Sequence, residues 1–436
     1  VKRWNCFQFF KIWFIQKKFN IHKENKMQNA TLGNTRTVSP AAEAATTAVK
    51  AASRISYIDM LRGFLIALVI VFHAACTYNG SEDWTFTDFS ANDEVTSVVL
   101  YLFVLLCQSF FMGLYFFLSG IFTPGSYDKK GPGKFWIDRL IHLGIPMLLY
   151  TLVLSRIPNY LSAVTNWGMK WSFWEFSWRT WWYDADAGPT WFLFAVLGFS
   201  LLYTLLRLIS KPRKSTGAVQ PSWTRRLAAP STRTLLLVAM GMAAGMFAVC
   251  QFLPLAEPTR IFDGALPLLF AFFPFYTVLF FGGVLASRNR WLERWNASML
   301  KFWGKLSIAL VVALPLFLIG TGAMELGLDP YTQGFTWRCA VTCLWLGLSC
   351  ISFGFSLTLW MREKVKPGSK LASFSGQNSF AVYLIHPIIL VAVSVYIFQY
   401  AMHPAIKFLV ASVVAVPSCF LAAAFLRALP GMKKIL

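Results

Sequence analysis

The stretch Asp59-Met60-Leu61-Arg62-Gly63-Phe64-Leu65-Ile66-Ala67-Leu68-Val69-Ile70-Val71-Phe72-His73-Ala74-Ala75-Cys76-Thr77-Tyr78 decides the fold. From Gly63 to Tyr78 it carries no Asp, Glu, Lys or Arg. With its flanks it approaches the ~20 residues that a helix needs to cross the hydrocarbon of a bilayer. Nine further uncharged apolar runs follow, at 95–123, 140–155, 189–206, 235–253, 266–286, 306–321, 339–360, 378–398 and 408–426. The composition agrees, because 56% of the 436 residues are apolar, 17% are aromatic and only 14% are charged. A soluble globular chain carries roughly 25% charged residues. The expected fold is all-α: a polytopic integral membrane protein of about ten transmembrane helices.

The net charge is +21 and the pI about 9.8, values that in a soluble chain would point to nucleic acid. Here the positive-inside rule explains them. With the segment before residue 63 placed inside, 34 of the 40 Lys and Arg fall in inside segments. Residues 207–233 hold seven bases and no acid, whereas 79–94 hold five acids and no base. Both termini are then cytoplasmic, and no nucleic-acid partner is expected.

The chain divides into a tail (1–56), a transmembrane domain (57–427) and a short cytoplasmic tail (428–436). Residues 28–56 are rich in Ala, Thr, Ser and Asn and read as disordered. Residues 1–26 mix lysines with Phe7, Phe9, Phe10, Trp13 and Phe14, too broken for a signal-peptide core. A plausible start at Met27 marks 1–26 as translated upstream sequence; the alternative is a basic amphipathic segment on the anionic inner leaflet. After residue 427 only about ten residues remain, so no fused outer domain is expected. The eight cysteines lie almost wholly in apolar runs, none at a metal-ligand spacing with histidine, so neither a disulfide framework nor a metal site is expected. Cys339 and Cys343, four apart, read as small packing residues, and the Gly241 to Gly245 pair suits close helix packing.

Ionisable side chains inside a membrane are functional candidates. Only two histidines lie deep within a span, His73 and His386. Eleven positions separate Arg62 from His73, close to three helical turns and about 16 Å of rise, so both side chains share one face. That geometry suits a catalyst that holds an anionic substrate tail at the inner surface while the reactive end reaches a neutral imidazole. The imidazole can take a proton from a hydroxyl and return it to a leaving group. The bland reading makes Arg62 a positive-inside anchor and His73 a packing residue.

His386, in Tyr383-Leu384-Ile385-His386-Pro387, lies at a depth where it can meet His73; bonding to a carbonyl freed by Pro387 is an equal reading. Lys134, Arg139 and His142 cluster at the inner start of the third span, with Arg139 and His142 on one face, where guanidinium geometry fits a diphosphate or adenosine phosphate. In the outer loop 156–188, Trp167, Trp171, Trp174, Trp178, Trp181 and Trp182 form a helical stripe. It reads as an interfacial belt or as an aromatic platform for sugar rings, with Asp184 and Asp186 as hydrogen-bond partners.

The order of these segments resembles the membrane acyltransferase-3 family: Arg62 before His73, Phe116-Phe117-Leu118-Ser119-Gly120, Arg139 before Gly144-Ile145-Pro146, Gly188-Pro189-Thr190-Trp191 and Tyr383-Leu384-Ile385-His386. The resemblance spans about residues 56–427. The Gly144-Ile145-Pro146-Met147, Trp191-Phe192-Leu193 and Pro274-Phe275-Tyr276 segments resemble the branch that adds succinyl groups to periplasmic glucans. The resemblance implies a bacterial inner-membrane, multi-pass enzyme that moves an acyl group, succinyl or acetyl, from cytoplasmic acyl-coenzyme A to a hydroxyl of an extracytoplasmic carbohydrate. No permanently bound cofactor is implied, since acyl-coenzyme A is a substrate. The family's intramembrane histidine carries over to His73 and its first-helix arginine to Arg62. Its Arg-x-x-Arg at the third span reads Arg139 to His142 here, with His142 or Lys134 left as substitutes.

Two classes compete. One is the enzyme, with Arg62 and Arg139 on coenzyme A phosphates, His73 and His386 at the reacting end, and Trp191, Trp178, Asp184 and Asp186 toward the carbohydrate. The other is a transporter or flippase of an anionic or glycan-linked solute, against which stand the lack of a membrane-embedded carboxylate and of an evident repeat pair.

Overall fold

The computed structural model describes residues 40–80, 84–89, 93–181, 185–210, 212–215, 218–221, 227–262 and 264–432. The chain divides into residues 1–52 and residues 53–436. Of the first unit only a helical run from Pro40 is described, within the stretch expected to be irregular; the segment 1–26 lies outside the described residues.

Numbering helices of eight residues or more, the order is α1 (Pro40–Tyr78), α2 (Glu94–Gln108), α3 (Phe111–Arg139), α4 (Arg156–Trp167), α5 (Phe173–Thr180), α6 (Trp191–Ile209), α7 (Thr232–Cys250), α8 (Phe273–Asn289), α9 (Met299–Gly320), α10 (Trp337–Lys364), α11 (Lys370–Phe398) and α12 (Pro404–Ala428). Two small antiparallel hairpins join them, β1 (Pro212–Ser215) with β2 (Ala218–Pro221) and β3 (Thr259–Ile261) with β4 (Leu266–Leu268). The sequence reading did not anticipate these strands, and the second hairpin moves the start of the span expected at 266 to Phe270.

Among the described residues nine helical stretches are long and apolar enough to cross a membrane, and one of them, Glu94–Trp167, has 74 residues. A straight helix of that length would measure about 111 Å, far more than a bilayer. It reverses at Gly131, whose φ of 74° and ψ of 168° are not helical. Lys130 Nζ consequently lies 2.5 Å from Asp138 Oδ2, and Arg139 Nη2 donates to Thr123 Oγ1 at 3.1 Å. In one continuous helix those pairs would sit about 12 and 24 Å apart along the axis. The hairpin makes two crossings of one stretch, so the total is the ten expected: this is an all-α, multi-pass membrane protein.

The helices outrun their apolar runs, as at Met299–Gly320 and Lys370–Phe398, because backbone bonding continues while Lys301, Lys305 and Lys370 extend their ammonium heads outward. Close packing depends on glycines, though not on the expected pair. A Cβ on Gly120 would overlap the Phe280 carbonyl and one on Gly283 the Phe117 carbonyl, which locks α3 against α8. Gly245 meets only Pro274, and Gly241 faces open space. The return strand of the hairpin is looser. Leu140–Gly144 and Tyr150–Leu154 are π-helical turns on either side of Ile145–Leu149.

Candidate functional site

One cavity of about 1220 Å³ runs through residues 53–436. On α1 alone its lining extends from Arg62 to Cys76, a rise of about 21 Å, or two thirds of a ~30 Å hydrocarbon core. Arg62, Ser119 and Arg139 line it at one end of this path, His73 and Trp84 farther along, and Asn159, Asp186 and Arg260 are contributed by the loops and helices at the other end of the spans. The predicted common face of Arg62 and His73 therefore opens onto one space.

At the Arg62 end, the guanidinium lies 3.6 Å from Asp59 Oδ1, one turn earlier on α1. Tyr115 Oη donates to the Arg62 carbonyl at 3.4 Å. Arg139 is positioned from across the hairpin by its bond to Thr123, and its guanidinium lies 5.1 Å from the centre of the Phe135 ring. Donors remain on both arginines for an anionic group. His142 and Lys134, by contrast, are exposed and do not line the cavity. The loose turn at Leu140–Gly144 removes the α-helical three-residue alignment that would have put His142 beside Arg139. His142 instead bonds the Asp138 carbonyl through Nδ1 at 2.8 Å.

Deeper, His73 Nδ1 lies 2.9 Å from the Val69 carbonyl oxygen, one turn back on α1. A carbonyl only accepts, so Nδ1 carries a proton there and the neutral ring presents Nε2 as its basic nitrogen. The Trp84 ring lies over the imidazole, with centroids 3.9 Å apart and an interplanar angle of 32°. Trp84 is brought in by a short loop: Asp88 N–H donates to the Thr77 carbonyl at 2.9 Å, and the Asp88 carboxylate pairs with Lys407 Nζ at 2.7 Å, both side chains buried.

His386 is fully buried and, unlike His73, does not line the cavity. Its ring stands 5.1 Å from that of His73. Pro387 gives the ring its hydrogen-bond partner. Proline has no N–H, which leaves the Tyr383 carbonyl without its helical donor, and His386 Nδ1 takes that carbonyl at 2.8 Å. Nε2 of His386 is buried and has no hydrogen-bond partner among the described residues.

At the other end, Ala187 N–H donates to the Ala265 carbonyl at 2.7 Å, tying the Gly188-Pro189-Thr190 turn to the β3–β4 hairpin. Tyr383 Oη donates to the Pro189 carbonyl. Gly188, at φ 44°, must be glycine on two counts, since a Cβ would also come within 2.9 Å of the Tyr150 ring. The turn aims Trp191 and Asp186 at the cavity. Burial raises the Asp186 carboxyl above the ordinary aspartate range, while the Gly188 N–H, bonded at 2.8 Å, and Arg260 pull it partly back.

Trp178 is 84% exposed and away from the cavity. The tryptophan stripe is not one helix, because α4 ends in a left-handed cap at Gly168 and α5 restarts at Phe173, leaving Trp174 and Trp178 on α5. Trp167 does line the cavity, and Asp184 lies outside the described residues. Sequence reasoning missed Trp84 and Arg260. Arg260 had a signal, as one of the few bases placed outside by the charge rule; Trp84 had none, because its place depends on the Asp88–Lys407 pair 319 residues apart in sequence.

Curated relatives share this arrangement's sequence in part. Glucans biosynthesis protein C of Escherichia coli K12 is 31% identical over 110 residues, 25% of this chain and 27% of that protein. The protein of the same name from Salmonella heidelberg is 25% identical over 247 residues, 54% of this chain and 59% of that protein. The chain thus spans between about a quarter and three fifths of the length of these relatives. A family model described as an acyltransferase domain matches residues 55–424, which covers the cavity-lining residues from Arg62 to Tyr383, and the chain therefore belongs to this acyltransferase family as a multi-pass membrane protein.

Proposed function

We propose that the enzyme moves an acyl group from a cytoplasmic coenzyme A thioester to a carbohydrate hydroxyl on the far side of an inner membrane, with a glucan as acceptor. The observation that carries this reading is the single cavity joining Arg62 and Arg139 to His73 and on to Asp186 and Trp191. A phosphate-rich donor needs fixed cations, and arginine offers planar, paired donors for phosphate oxygens. The positive-inside distribution of Lys and Arg supports placing that end in the cytoplasm. The pantetheine arm is a flexible chain that fits a narrow passage, and its thioester would arrive near His73.

In this reading His73 Nε2 removes the proton from the acceptor hydroxyl as the oxygen attacks the thioester carbonyl, and returns it to the departing thiolate. The Val69 carbonyl holds the tautomer that makes Nε2 the base. Trp84, which also lines the cavity, and the buried His386 flank the ring. At the far end, Trp191 offers a face for a sugar ring and Asp186 and Arg260 offer hydrogen bonds. The names of the relatives support a glucan acceptor; membership of an acyltransferase family favours this reading over transport.

The test is to incubate purified protein with labelled acyl-coenzyme A and a glucan. Release of coenzyme A with label on the glucan is expected from the wild type, and loss of both from His73→Ala at unchanged membrane abundance. Full activity in that variant, or label on another envelope glycan in place of glucan, overturns the mechanism or the acceptor respectively.

A further inference from the structure

The interface between α7 and α10 holds a cluster that the acyl-transfer cavity does not use. Cys250 is the last residue of α7, and Cys339 and Cys343 stand one turn apart at the start of α10. All three are buried, at 1%, 0% and 0% exposure. Their sulfur atoms all lie within 4.8 Å of one another, and Cys250 Sγ is 3.9 Å from Cys343 Sγ. The backbone fixes this triangle. Thr336 Oγ1 accepts the Cys339 N–H at 3.0 Å, and Gly334 N–H donates to the Cys250 carbonyl at 3.5 Å. One turn beyond Cys343, Gly347 has no room for a Cβ, which would lie 2.5 Å from the Ala239 carbonyl of α7.

Three sulfurs bound at roughly 2.3 Å around one ion in a plane would stand about 4.0 Å apart. One side of the observed triangle is of that size and the others are within 4.8 Å, whereas a disulfide needs one pair to close to about 2.05 Å. Among the described residues the group includes no histidine and no carboxylate. Three sulfur ligands fall short of the four that a structural zinc takes, and thiolates select soft ions such as monovalent copper.

We propose that Cys250, Cys339 and Cys343 bind one monovalent copper ion, which ties the end of α7 to the start of α10. On binding, the S–H bond of each ligating sulfur breaks and its proton passes to water as a Cu–S bond forms, and neither copper nor sulfur changes oxidation state. The proposal is independent of the acyl-transfer reading.

The experiment uses the full chain, purified under reducing, anaerobic conditions and titrated with monovalent copper buffered by a competing chelator. Elemental analysis should find one copper per chain, with X-ray absorption showing three sulfur neighbours at roughly 2.3 Å. Cys250→Ser and Cys343→Ser should weaken binding at least tenfold, and Cys107→Ser and Cys419→Ser should leave it unchanged. Copper should also raise the unfolding temperature of the wild type, as any ligand of the native state does, a readout that survives if a serine variant fails to fold. Wild-type protein that neither retains copper nor gains stability overturns the proposal. So does a Cys250–Cys343 or Cys250–Cys339 disulfide peptide from membranes alkylated before lysis, or stoichiometric zinc that copper cannot displace.

Discussion

The two walls of the cavity that carry Ser119 and Arg139 are built on opposite principles. Behind Ser119, α3 and α8 touch backbone to backbone at Gly120 and Gly283, and Phe116, Tyr276 and Phe280 are fully buried there. The return strand of the hairpin is irregular: two π-helical turns interrupt it, and Ile137, Leu140, Ile145, Leu148 and Val153 face outward. Yet it is this strand that carries Arg139. Rigid aromatic packing has one way to fit and fixes the shape of the passage. π-helical turns inside α-helices are frequent at functional sites, and this wall carries one of the two arginines that line the cavity.

The comparison breaks first at the rigid wall. Gly283→Leu should abolish folded protein, because the Phe117 carbonyl already occupies the space for a Cβ. Yield and monodispersity of the detergent-purified variant check this; a normally folded variant would mean that α3 and α8 are not locked. Next in size, His73→Ala should lower acyl transfer by roughly 10²–10⁴-fold, the usual contribution of a positioned acid–base group, with unfolding temperature near that of the wild type.

On the looser wall, Arg139→Ala should raise KM for acyl-coenzyme A by roughly tenfold to a hundredfold, as for loss of a charged hydrogen bond. Steady-state kinetics should show kcat changed much less, and an equal fall in kcat would move Arg139 to the reacting centre. The smallest effect concerns pH. Burial raises the folded-state pKa of Asp186 above its unfolded value, so this group's contribution to stability is fully present below the unfolded pKa and is lost as pH rises through the folded one. Asp186→Asn should remove that downward slope while keeping an acceptor for the Gly188 N–H. Unfolding temperature against pH for the two proteins gives the answer, and parallel curves would place the Asp186 carboxylate in water.

The alignment of Arg62 with His73 was legible from helical rise alone, because both lie on one uninterrupted helix. Arg139 was legible as a basic residue at the inner start of a span, but the placing of His142 beside it was not, since the π turn between them changes the angular step and no residue pattern announced it. His386 illustrates a local rule that sequence states without choosing an outcome: Pro387 frees the Tyr383 carbonyl wherever the helix goes, yet only packing decided that the ring would stand behind His73 rather than on the cavity wall. Trp84 over His73 and Cys250 beside Cys339 and Cys343 were silent for a common reason, as each joins segments that only the packing brings together.

By itself the sequence determined the membrane environment, the number of crossings and which end of each helix is basic, because bilayer thickness and the cost of burying charge act on local runs of residues. Only the tertiary structure decided which side chains meet in the cavity and which cysteines meet outside it. Those meetings depend on how helices cross and where they loosen, and close approach at Gly120, Gly283 and Gly347 is a property of pairs of helices that no single helix encodes.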